Sequence, residues 1–167
     1  MNLSVSPASL AEKTLLQRLL QLYLYDFSEF ENSDVDEQGE YRYPWLEQYW
    51  SDSQRSPYIV RVDGKPAGFV LVNDQTVHSE NEWSIAEFFI ARKYRRQGVG
   101  RRVAHIVFDR QPGRWELQVL ETNRPAQHFW RRVLDDVTHG TFQEVLVPHK
   151  QMNLIVMWFD NREDVES

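Results

Sequence analysis

The sequence predicts a mixed fold, α+β or α/β, with a sheet carrying helices on its faces. Three observations predict it. Two β-prone runs, Pro57 to Val62 and Pro66 to Val72, are joined by Asp63-Gly64, a pair that supplies positive φ in a tight turn. A strand-loop-helix-strand-helix stretch then runs from Trp83 to Val137, and a terminal pair of strands follows at Phe142 to Val147 and Leu154 to Phe159.

Taken in order, Ser9 and Glu12 have capping-box spacing, and Leu10, Leu15, Leu16, Leu19, Leu20, Tyr23 and Phe27 recur at helical intervals. The chain is therefore expected to open with a helix. Glu29 to Glu40 is rich in Asp and Glu and reads as a solvated loop or lid, and Tyr41 to Trp50 as an aromatic-rich helical segment. Tyr41, Tyr43, Trp45, Tyr49 and Trp50 suit core packing, or less readily a pocket wall. Beyond the hairpin, Trp83 to Ile90 is a strand, Gly98 to Arg110 a helix closed by Pro112-Gly113, Arg114 to Leu120 a strand, and Arg124 to Val137 a helix preceded by Asn123.

Length and composition narrow the function. The 167 residues suit one domain, 1–167, and 41% apolar residues suffice for a core without staples. The absence of Cys removes disulfides, thiolate metal sites and a cysteine nucleophile. No His pair or carboxylate cluster has metal-ligand spacing, so no metal is expected. His105 and His128 suit surface or packing roles. Leu15 to Leu24 is broken by Gln17, Arg18 and Gln21, so no membrane partner is expected, and with no signal-like N-terminus a cytoplasmic location is the default. A formal charge of −6 argues against nucleic acid and slightly favours cationic partners.

The most informative segment is Arg95-Arg96-Gln97-Gly98-Val99-Gly100, placed between the apolar strand end Phe88 to Ile90 and a helix. Two glycines let the backbone approach a bulky anion, and the first N–H groups and dipole of the helix point at the same place. Arg92, Arg95, Arg96, Arg101 and Arg102 add positive potential. The plainer reading is a turn that only reverses strand into helix. Val103 stands where a dinucleotide fingerprint needs a third Gly, and Arg101-Arg102 where a P-loop needs Lys-Ser/Thr, so both of those are disfavoured.

These residues resemble the GNAT acetyltransferase superfamily, whose acyl-CoA motif is Arg/Gln-x-x-Gly-x-Gly/Ala between a central strand and a helix. Arg95, Gly98 and Gly100 match it, and Asn123-x-x-Ala126-x-x-Phe129-Trp130 resembles the family's Asn-x-x-Ala-x-x-Phe-Tyr block. The two blocks span about 83–134. The resemblance implies a mixed, mostly antiparallel sheet with a splayed parallel pair of strands, the pantetheine arm of acetyl-CoA lying in the split. It further implies that Phe88, Phe89 and Ile90 line the cofactor, that Arg95, Arg96, Gln97, Gly98, Val99, Gly100 and Arg101 cradle the pyrophosphate, and that Asn123, Phe129 and Trp130 flank the arm. One departure matters: Trp130 stands where many members carry a Tyr that protonates the leaving thiolate, and an indole is no practical acid.

The implied activity is transfer of an acyl group, most simply acetyl, to a primary amine of a small molecule by direct attack. Glu87, a carboxylate among apolar neighbours, is the candidate base, and backbone N–H groups near Phe89 and Ile90 the candidate oxyanion donors. Tyr25 and Asp26, late in the first helix, are candidate acceptor contacts. The alternatives are a peptide or protein amine as acceptor, an acyl-CoA-binding domain with weak or no catalysis, and an interaction module with no CoA affinity. A homodimer is expected only by analogy with the superfamily.

Overall fold

Seven strands pair in the order β1-β2-β3-β4-β5-β7-β6, and every pair whose register is defined is antiparallel except β4 with β5. The structure, a computed structural model, describes residues 1–162; the last five residues of the expected 1–167 domain lie outside the described residues. The strands are β1 (Leu3–Pro7), β2 (Ser56–Val62), β3 (Lys65–Asn73), β4 (Trp83–Ile90), β5 (Arg114–Leu120), β6 (Gln143–His149) and β7 (Met152–Asp160). The α-helices are α1 (Lys13–Glu31), α2 (Val99–Asp109) and α3 (Arg124–Thr138). The chain divides into two compact units, Met1–Val72 with Glu87–Val99, and Asn73–Ala86 with the chain from Gly100 on.

In the first unit the chain opens with a strand, not a helix. Leu3 to Pro7 pairs antiparallel with Val62 to Tyr58 and buries Val5. A five-residue strand that alternates with Ser and ends in Pro carries little periodic signal, and Pro is tolerated because β1 is an edge. The predicted capping box is present: the Glu12 carboxylate accepts the Ser9 N–H at 3.0 Å, in a 3-10 turn (Leu10–Glu12) that leads into α1. α1 runs three residues into the stretch expected to be loop, and Asn32, left-handed at φ 56°, ends it.

The expected helix over Tyr41 to Trp50 forms only as a 3-10 turn at Leu46–Trp50. Pro44 explains the shortfall, since its ring disfavours helical geometry at Tyr43. The β2–β3 hairpin forms as predicted, with Asp63 (φ 51°) and Gly64 (φ 77°) making a two-residue turn. Leu16, Leu20, Ile59, Val60, Phe69, Val70 and Leu71 are among the fully buried residues of this unit. Gly68 is required by packing: a Cβ there would overlap the carbonyl oxygen of Phe89 on β4.

In the second unit β4 and β5 run parallel over Trp83↔Trp115, Ser84↔Glu116 and Ile85↔Leu117, where the register ends. β7 lies between β5 and β6, so the final hairpin enters with its last strand inward. Phe108 of α2 packs edge-on against Trp115 (5.1 Å) and Phe159 (4.9 Å), the aromatic centre of this unit.

Candidate active site

Glu87 lies in the second half of β4, where strand alternation and the neighbouring α1 place it among aromatic rings. Tyr23 of α1 stacks on Phe27 at 5.5 Å and meets Phe69 and Phe89 edge-on at 5.8 and 6.3 Å. These rings take the carboxylate's surroundings out of water. The Tyr43 hydroxyl donates to Glu87 Oε1 at 3.3 Å, and Tyr23 is its second phenol partner. Burial pushes the Glu87 carboxyl up to about 7; the two phenol hydrogen bonds pull against that, and the negative charge of Glu31 adds to it. Burial, then the Glu87 charge, raise the Tyr23 and Tyr43 phenols in turn, so neither is a ready proton source.

Tyr23 and Tyr43 are thus the phenol partners of Glu87, a pairing that the helical stripe of α1 and the aromatic run Tyr41 to Trp50 do not reveal in the sequence. The available signal was the cost of a carboxylate among apolar neighbours, which demands donors from elsewhere in the chain.

Tyr25 is exposed, at 65%. Asp26 is held by two arginines: its oxygens accept from Arg92 and Arg95, each at 2.7 Å. Burial would raise the Asp26 carboxyl, but the hydrogen bonds from Arg95 and Arg92 overcome it and hold it below the usual range. Arg95 also donates through Nε to the Ile90 carbonyl at 2.7 Å and lies over the Phe89 ring. Its guanidinium thus ties the end of β4 to α1.

The turn itself is shaped by its backbone. Arg96 (φ 59°) and Gly98 (φ 77°) are both left-handed, and the Gln97 side chain donates to the Lys93 carbonyl at 2.8 Å. Arg96, Gln97 and Gly98 are exposed, and a Cβ on Gly98 would meet nothing within 4 Å. Val99 is fully buried and anchors the start of α2. With open space above Gly98 and left-handed backbone at Arg96 and Gly98, the main chain of the turn is open to an approaching anion.

In the second unit, Arg101 donates to Asp136 of α3 at 2.8 Å, and His105 shares the same carboxylate oxygen at 2.9 Å. The Arg101 hydrogen bond holds the Asp136 carboxyl below its usual range, with His105 adding to it. Asn123 caps α3, its side-chain oxygen accepting the Ala126 N–H at 3.2 Å. Trp130 is buried, its ring 4.8 Å from Phe129 and 6.5 Å from Phe108; Phe129 is partly buried. Among the described residues no group of three His, Asp or Glu side chains is arranged to hold a metal ion, and no helix is long and apolar enough to cross a membrane.

A second buried carboxylate, which the sequence did not flag, is structural. Glu116 on β5 is fully buried and accepts four hydrogen bonds, from Val77 N–H (2.6 Å), His78 N–H (3.1 Å), Asn81 Nδ2 (2.8 Å) and Gln118 Nε2 (3.0 Å). It pins the β3–β4 loop to β5.

The family model described as Acetyltransferase (GNAT) family matches residues 16–135 of the chain. No curated protein matches it. Similar solved structures include an acetyltransferase from Thermus thermophilus, with a TM-score of 0.70 and 16% identity over 96% of this chain and 97% of that one. Arabidopsis thaliana NAA60 in complex with a bisubstrate analogue is similar at a TM-score of 0.64 and 13% identity, covering 95% of this chain and 98% of that one. A spermidine N-acetyltransferase SpeG chimera from Vibrio cholerae and hSSAT reaches 0.66 at 12% identity over the full length of both chains. Identities this low carry the fold and not the acceptor.

Proposed function

We propose, since this chain belongs to the acetyltransferase (GNAT) family, that it is an N-acetyltransferase domain moving acetyl from acetyl-CoA to a primary amine of a small molecule. The observation that carries this reading is Glu87: a carboxylate in the second half of β4 with its proton affinity raised to about 7, on the strand that leads into the glycine turn. A base with that affinity is half ionised at neutral pH and matched to accept a proton there.

The acceptor nitrogen attacks the thioester carbonyl carbon, the C–S bond breaks, and the proton lost by the amine passes to Glu87 directly or through one water. Backbone N–H groups near Phe89 and Ile90 hold the developing oxyanion. The family resemblance assigns Phe88, Phe89 and Ile90 to the pantetheine arm and the turn from Arg95 to Arg101 to the pyrophosphate, and it names Asn123, Phe129 and Trp130 as further donor contacts. Because Asp26 is already matched to Arg92 and Arg95, it serves the acceptor by orienting those groups; Tyr25, exposed, is free to contact the acceptor directly. With an indole at position 130, CoA leaves as a thiolate, which a thiol of pKa about 8.5 permits. The same indole favours a second reading, an acyl-CoA-binding domain with weak turnover.

The test is thermal unfolding with and without acetyl-CoA, alongside Gly98→Trp, whose added ring enters the open space above the turn. A rise in Tm that the variant loses supports the donor site. No rise at millimolar acetyl-CoA sinks both readings. A rise with no thiol release for any amine tried leaves only the binding domain.

A further inference from the structure

We propose that Gln21 is a positioning residue for Glu87, acting through Tyr43: its side-chain amide clamps the Tyr41 peptide and so delivers the Tyr43 hydroxyl to the carboxylate. The proposal rests on reading Glu87 as the base. Tyr41 to Trp45 has no regular structure, so its backbone groups must find partners outside a ladder. Gln21, on α1, supplies both for Tyr41: Oε1 accepts its N–H at 2.8 Å and Nε2 donates to its carbonyl at 2.8 Å. The Tyr41 hydroxyl adds a longer tie, 3.4 Å to Ser28 Oγ on the same helix.

From this fixed point the chain has two residues to reach Glu87, and Pro44 restricts the second of them, Tyr43, to extended geometry. The Tyr43 ring is held edge-on to Trp45 at 5.3 Å, and its hydroxyl lies 3.3 Å from Glu87 Oε1. Upstream, the exposed acidic stretch closes on itself, the Asp36 carboxylate accepting the N–H groups of Gln38 and Glu40 at 2.9 Å each. The clamp therefore separates a self-contained acidic turn from the segment that serves the carboxylate.

The groups that face Glu87 are Tyr23 and Glu31 from α1 and Tyr43 from this segment, with Tyr49 behind Tyr43. Of these, only Tyr43 depends on an irregular segment for its placement. A phenol donating to the carboxylate favours its ionised form, against burial and against Glu31. Loss of the Tyr43 bond raises the Glu87 midpoint further, by about one pH unit, so the ionised fraction at pH 7 falls roughly fivefold.

The experiment follows the Glu87 carboxyl by NMR in protein labelled at glutamate carboxyl carbons, assigned with Glu87→Gln, in wild type, Tyr43→Phe and Gln21→Met, together with the pH profile of kcat. Met is a straight-chain helix former of similar length; should that variant fail to fold, Gln21→Leu takes its place. The expected result is an upward shift of the NMR midpoint in both variants, larger in Tyr43→Phe, with the acid limb of kcat moving by the same amount. A midpoint unmoved in Tyr43→Phe overturns the proposal, and one that moves in Tyr43→Phe but not in the Gln21 variant removes Gln21 from it. Midpoints that shift while the acid limb stays put support the clamp and overturn Glu87 as the base.

Discussion

A hydrogen bond of 2.7 Å joins the carboxylate of Asp26, on α1, to the guanidinium of Arg95, the first residue of the glycine turn. Arg95 in turn holds the Ile90 carbonyl, so one arginine fastens the end of β4 to a helix on which acceptor contacts were expected. Asp26→Asn should destabilise the protein at pH 7 by about 1 kcal/mol, a value kept small because Arg92 and Arg95 are substantially exposed. The Asp26 carboxyl is held below its usual range, so its contribution is present above the unfolded value and is lost as pH falls through the folded one. Urea unfolding of both proteins at pH 7 and near pH 3 checks this; a difference that persists unchanged in acid contradicts it.

Gly68→Ala should cost about 3 kcal/mol, at the upper end for overpacking, because the new methyl meets backbone rather than a movable side chain. Gly98→Ala faces empty space and should cost about 1 kcal/mol through its positive φ alone. Chemical denaturation ranks the two, and equal costs would show that β3 can move away from Phe89.

Glu116→Gln should destabilise by about 2–3 kcal/mol, since an amide in place of the carboxylate turns an NH₂ toward donors. The loss should be local as well as global. Hydrogen exchange at the Val77 and His78 amides of the β3–β4 loop should speed up more than at the amides of the sheet, and uniform acceleration would count against the loop anchor.

Glu87→Gln should be more stable than wild type above pH 7 and close to it near pH 4. The folded carboxyl binds its proton more tightly than the unfolded one, so wild-type stability falls as pH rises from the ordinary glutamate value to about 7. The full difference is on the order of 3 kcal/mol. Melting curves across that range test it; a Glu87→Gln protein no more stable than wild type at pH 8 would mean that the carboxylate is well solvated.

Where the chain obeys one period or one turn code, sequence sufficed. Trp83–Ile90 and Arg114–Leu120 match their expected bounds, the Asp63-Gly64 hairpin forms, and Asn123 caps α3. The misses have physical causes. β1 is five residues with two serines, stabilised by its partner strand rather than by its own pattern. Tyr41 to Trp50 has helical composition, but Pro44 delays the turn, a local steric rule overriding an aromatic count.

At the candidate site Glu87 was legible because a charge in an apolar strand is conspicuous. Its partners were not. Tyr43 lies 44 positions away in sequence, and no periodicity links a loop phenol to a strand carboxylate. Arg95 was legible as a motif residue, yet its side-chain engagement with Asp26 and Ile90 depends on where α1 ends, which only the tertiary structure shows.

The Gln21 amide presents one acceptor and one donor to a single residue, the same pair of groups a neighbouring strand would offer it. A side chain here acts as a surrogate peptide unit, and few residues can imitate one. Asn carries the same group but is one methylene shorter; Glu lacks the donor, and Lys and Arg lack the acceptor. Position 21, on a helix face that hydrophobic patterning leaves open to almost any polar residue, therefore has an alphabet close to a single letter.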